Sequence, residues 1–169
     1  SDLLSLSLLM KSWHVVFMPK TKLKDLVEAL EMQGLEISSY VNTQTGEVVT
    51  LTDEELTFAD DDEFLEDLPE WMAEARRLAK DVLHSGDYLA LPDQWELHEY
   101  RIISDFCWAQ ADDEIRERLL KAIKGKGAFR RFKDKASDLG VIDQWFEYRY
   151  ARFEAFMVEW CKESGVSYE

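Results

Sequence analysis

A chain of 169 residues that is 46% hydrophobic and 12% aromatic has too much apolar surface to stay disordered despite a formal charge of −15, and its length is that of one domain. Its two cysteines, Cys107 and Cys161, lie beside Phe106, Trp108 and Trp160 without CxxC spacing, so they read as reduced, buried thiols rather than a disulfide framework. The strongly acidic balance weighs against partners that are themselves polyanions.

In chain order, the first segment is apolar, but Asp2, Lys11, Ser12 and His14 interrupt it before any run reaches the roughly 18 residues of a membrane span. No basic stretch precedes Leu3-Leu4 and no small-residue cleavage site follows, so a cytoplasmic location is expected and a membrane partner is not. Met18-Pro19-Lys20 resembles a natural start. Residues 1–17 are therefore read as an N-terminal extension, native or added, whose Leu3, Leu4, Leu8, Leu9 and Trp13, if ordered, need cover from the domain or from a second copy. Residues 18–169 are expected to form a single α+β domain.

Thr21 is the expected N-cap of a first helix, with Leu23, Leu26, Val27 and Leu30 at helical spacing and Gly34 as its stop. The β-branched runs Ile37–Val41 and Glu47–Leu51 flank Asn42-Thr43-Gln44-Thr45-Gly46, which predicts a β-hairpin. Asp87 to Pro92 is a third short apolar run. A hairpin alone is marginal, so this run is expected to join it in a three-stranded antiparallel sheet. Between them, Glu66 to His84 carries Leu68, Trp71, Met72, Ala75, Leu78, Ala79 and Val82 as an amphipathic stripe suited to cover one sheet face. After Pro92 the pattern is helical over Gln94–Cys107, Asp112–Lys124, Ala128–Leu139 and Asp143–Ser164, with breaks at Asp112-Asp113, Gly125, Gly127 and Gly140. The expected fold is thus α+β, predominantly helical, with a small sheet packed against a C-terminal helical array. In the last helix, Phe146, Tyr150, Phe153, Met157 and Trp160 are expected in the core, leaving Trp145, Tyr148 and Phe156 for another cover, with a homodimer contact as the alternative to central burial.

Charge is uneven. Residues 53–70 hold ten acidic side chains and no basic one, whereas residues 116–135 hold nine Lys and Arg against Glu117 and Asp134. The acidic run Asp60-Asp61-Asp62-Glu63 lacks the glycine of a calcium loop and reads as a solvated segment or an acidic docking patch. In the basic segment, Gly125-Lys126-Gly127 leads directly into a helix. The free N–H groups of the helix start would meet Lys126, Gly127, Arg130 and Arg131 there, an arrangement suited to a phosphate or carboxylate. It is not a P-loop, and the alternative is that the arginines pair with the acidic segment while Phe129 and Phe132 enter the core.

The sequence assigns no catalytic residue, metal site or cofactor. His14, His84 and His98 are too scattered for HExxH, there is no Gly-x-Ser-x-Gly elbow, and acid pairs arise by composition alone among 35 carboxylates.

Tyr40-Val41-Asn42-Thr43-Gln44-Thr45-Gly46-Glu47-Val48-Val49, Tyr88-Leu89-Ala90-Leu91-Pro92, Gly125-Lys126-Gly127-Ala128-Phe129-Arg130-Arg131-Phe132-Lys133-Asp134 and Trp145, in that order, resemble the bacterial family catalogued as uncharacterised protein family 158. The resemblance spans about Lys20 to Gly165, with residues 1–17 as the main departure, and implies a bacterial cytosolic protein without established site residues. The expected function is that of a non-enzymatic binding or regulatory module engaging a protein partner or an anionic ligand. The alternative is a small enzyme acting on a phosphorylated metabolite, with a carboxylate or His98 as base. Nucleic-acid binding through residues 116–135 is the lesser alternative, because a net charge of −15 opposes it.

Overall fold

The computed structural model describes residues 19–61 and 67–169. The expectations for residues 1–17, for the middle of the acidic run and for a helix start at Glu66 lie outside the described residues. Contacts divide the chain into two compact units, one of residues up to Leu91 together with 158–169, the other of residues 92–157. The fold is α+β and mostly helical, with one three-stranded antiparallel sheet.

The first unit opens with α1, Leu23–Met32, whose Leu26, Val27, Ala29 and Leu30 are buried. Thr21 is not its cap. It is 1% exposed and forms a parallel bridge with Tyr168, while Lys22 stands at the N-cap without a side-chain bond. One orphan donor of the helix start is met instead from the segment 167–169, Leu23 N–H donating to Glu169 O at 2.9 Å.

Strands β1 (Ile37–Asn42) and β2 (Val48–Thr52) form the expected hairpin, with Tyr40 opposite Val49. Asn42 Oδ1 accepts from the N–H groups of Gln44 and Thr45 at 2.8 and 3.2 Å, which shapes the turn. Gly46 closes it with φ +77°, and a Cβ there would lie 2.9 Å from the Lys20 carbonyl oxygen, so only glycine fits. Strand β3 (Tyr88–Ala90) pairs with β1, giving the order β2-β1-β3. Helix α2 (Asp53–Phe58) starts from a capping box between Thr52 and Glu55. Helix α3 (Glu70–His84) supplies Ala79 and Val82 to the cluster of Val49, Leu51 and Ala59, so it covers the sheet as its stripe predicts. Trp71, expected in that stripe, is 69% exposed instead.

In the second unit the helix expected over 94–107 is two, α4 (Gln94–Leu97) and α5 (Glu99–Trp108), because His98 adopts a left-handed backbone at φ 53° and ψ 56°. Helix α6 (Asp113–Ala122) is capped by Asp112, whose carboxylate accepts from Ile115 N–H at 3.0 Å. Helix α7 (Ala128–Asp138) follows two positive-φ glycines, and α8 spans Ile142–Ser164. The second unit packs around Phe106, Phe132 and Trp145, with ring centroids 4.8 to 5.9 Å apart and edge-on geometry. In α8 the expected stripe needs correction: Phe146 is 52% exposed and Tyr150 is also exposed, while Trp145, Phe153, Met157 and Cys161 are buried. Four-residue spacing from Trp145 sets that face, and Arg149, the member between Trp145 and Phe153, lays its guanidinium 4.0 Å from the Phe153 ring centre and pairs with Glu99 at 2.8 Å.

Candidate functional site: the α6–α7 turn and the adjoining aromatic clefts

The end of α6 leaves carbonyl oxygens without helical partners, and the basic segment supplies them. Arg131 folds back from the first turn of α7. Its Nε donates to Ala122 O at 3.0 Å, and its Nη atoms donate to the carbonyls of Lys124, Gly125 and Lys126. Tyr100 OH donates to Ile123 O at 3.1 Å. A cation on the C-terminal carbonyls of a helix also opposes the negative end of its dipole. Gly127, at φ +73°, lets the chain enter α7 under this guanidinium, since a Cβ there would lie 3.1 Å from Arg131 Nη1.

Of the four residues singled out as an anion site, Lys126, Gly127 and Arg130 lie at the start of α7 with Lys126 and Arg130 exposed, whereas the Arg131 guanidinium is committed to the carbonyls of the loop before it. Lys126 and Arg130 are exposed and form no ion pair among the described residues. Helix α7 has no acidic residue in its first turn and no capping side chain, so no side chain of its own occupies the positive end of its dipole.

Phe129, expected in the core beside Phe132, is 43% exposed while Phe132 is fully buried. It meets Tyr100 edge-on at 6.4 Å between ring centres and, with Trp95, His98 and Arg101, lines an open cleft of about 740 Å³. A second cleft of about 730 Å³ shares Tyr100 and adds Ser104, Trp108, Leu120, Lys121 and Lys124. Trp95 and Trp108 are 70% and 64% exposed. Tyr100, Ser104 and Trp108 recur every four residues, so α5 presents them together, opposite the buried face of Ile102, Ile103 and Phe106. That recurrence is visible in the sequence and is the signal that could have found these clefts; the break at His98 has no such signal.

The chain's acidity is not shared evenly either. Residues 92–157 hold twelve basic and thirteen acidic side chains, a net −1, so the remaining −14 belongs to the other unit. The acidic run itself appears partly, Asp60 Oδ1 lying 2.8 Å from His84 Nε2.

Neither thiol is poised as a nucleophile: burial pushes Cys107 and Cys161 up to about 11. Among the described residues no group of three or more His, Cys, Asp or Glu side chains is placed to hold a metal ion, and no helix is long and apolar enough to cross a membrane. No family model, curated protein or solved structure matches the chain.

Proposed function

We propose that this protein is a non-enzymatic binding module, a member of the uncharacterised family its motifs resemble, which engages an anionic ligand or the anionic group of a partner at the start of α7. The observation that carries this reading is the division of labour in one turn. Arg131 anchors the loop, while Lys126 and Arg130 stay exposed beside a helix start that has no side-chain cap, and Phe129 of the same turn lines an aromatic cleft. An anion gains from the cations and the helix end together, and an attached flat or apolar group has Trp95, Tyr100 and Phe129 to lie against.

The test is a thermal-shift screen of phosphate-bearing metabolites against the wild type and a Lys126→Ala/Arg130→Ala variant. A ligand at 100 times its dissociation constant adds about 2.7 kcal/mol to wild-type stability. That gain is expected to vanish in the variant, and a screen without any shift would remove the reading.

One observation favours a second reading, a small enzyme acting on a phosphorylated metabolite. His98 is exposed at the edge of the aromatic cleft in a left-handed backbone that costs a non-glycine residue energy, and such strain is often retained where a side chain must be aimed. A His98→Gly variant that is more stable but no longer turns over a ligand found in the screen would favour the enzyme over the module.

A further inference from the structure

The two clefts of the second unit ask for a ligand with more than one flat group. They adjoin at Tyr100, and between them they display Trp95, Phe129, Tyr100 and Trp108. Four aromatic side chains left between 43% and 70% exposed on one small helical unit are a costly surface unless something covers them.

The charges around them narrow what that is. Arg116 is taken up by Asp113 and Glu99 by Arg149. Lys121, Lys124 and Arg101 form no ion pair among the described residues, and Glu117 is the remaining acid on the lining. The clefts therefore carry a positive balance within a chain of net charge −15. That chain charge argues against a polyanion only if it is spread evenly, and −14 of it belongs to the other unit. The cations that line the clefts are the charges nearest a ligand seated there, and close charges are screened least.

From this juxtaposition we propose that the paired clefts bind single-stranded nucleic acid, with successive bases stacked on Trp95, Phe129, Tyr100 and Trp108 and the phosphates met by Arg101, Lys121 and Lys124. The proposal goes beyond the anion site at the start of α7, since it uses other cations and stands or falls separately from that site. Stacking on exposed rings does not require a particular base, since every base has a π-face, and it requires strands whose bases are not already paired. A mononucleotide would use one cleft and leave the other aromatic pair uncovered. Two clefts sharing a ring fit a chain of nucleotides better than they fit one.

Fluorescence anisotropy of a labelled oligo-dT of about 12 nucleotides with the full chain tests this. The wild type is expected to bind and to show quenched tryptophan emission. Trp95→Ala and Trp108→Ala, both changes at exposed positions that leave the fold intact, are each expected to weaken binding about fivefold or more. Lys121→Gln/Lys124→Gln is expected to weaken it and to lower the slope of log affinity against log salt by about 1.4.

Four outcomes would overturn the proposal: absence of binding; binding indifferent to both tryptophan changes; a duplex or a mononucleotide binding as tightly as the single strand; or tryptophan-dependent self-association in sedimentation, which would give the clefts to a second copy. If the oligonucleotide fails while phosphorylated metabolites still shift melting through Lys126 and Arg130, this inference falls and the binding module stands. If the metabolites fail while the oligonucleotide binds, the clefts stand as proposed and the α7 turn is not an independent anion site.

Discussion

The two units solve the problem of marginal stability in different ways. The first combines a small sheet, local capping and a heavily charged surface: Thr52 and Glu55 box the start of α2, Asn42 shapes the hairpin turn, and −14 of the chain's charge resides there. The second is helical, nearly neutral, and concentrates its large rings both in its core and on its surface. High like charge costs a compact state some stability and keeps copies apart, whereas a neutral surface with exposed rings is open to contact. The unit that tolerates water best is thus the one least suited to bind an anion, and the unit suited to bind carries the exposed rings.

The largest expected effect tests whether the second core is as central as its geometry indicates. Phe132→Ala removes the ring that meets both Phe106 and Trp145 and should cost about 3–5 kcal/mol in urea unfolding. Hydrogen exchange would sharpen the comparison: protection should fall first across residues 92–157, and an equal loss in β1 and β2 would dissolve the distinction between the units.

A smaller effect separates two adjacent arginines. Arg131→Ala strips the partners from carbonyls at the end of α6 and should cost about 1–2 kcal/mol, while Arg130→Ala, with no ion pair to lose among the described residues, should stay within about 0.5 kcal/mol. Paired melting curves decide it. Equal losses would mean that Arg130 also holds the loop and would remove it from the anion site.

The smallest effect concerns the thiols, one in each unit. Burial holds both near 11 when folded, above their unfolded value of about 9, so the folded chain keeps protons that the unfolded chain releases. Their contribution is complete below about pH 9 and declines as pH rises towards 11. Tyrosines and lysines titrate in the same range, so the measurement is a difference: Cys107→Ala should flatten the fall of the urea midpoint relative to the wild type over that window.

Much of the fold was legible because its signals are local. The hairpin, the third strand, the covering stripe of α3 and the glycine breaks around α7 follow from periodicity and turn chemistry. What was not legible depended on distant partners. Thr21 looks like an N-cap by residue type, yet residues 167–169 reach its backbone and bury it. Phe146 and Tyr150 have helical spacing with Phe153, but Trp145 needs the core and rotates the face away from them. Phe129 and Phe132, three apart, could share a side; the fold spends one on packing and leaves the other at a cleft. At the candidate site, the basic turn was found from glycine and cation spacing, whereas the commitment of Arg131 to carbonyls nine to five residues earlier is a matter of side-chain direction that spacing does not encode.

The pairing of residues 21–23 with 167–169 has a mechanical consequence. Thr21 N–H donates to Ser167 O, Glu169 N–H to Thr21 O and Leu23 N–H to Glu169 O, at 2.8 to 2.9 Å, between segments that run in the same direction. Force applied in opposite directions at residues 21 and 169 loads these bonds in parallel as a shear clamp rather than opening them one after another like a zip.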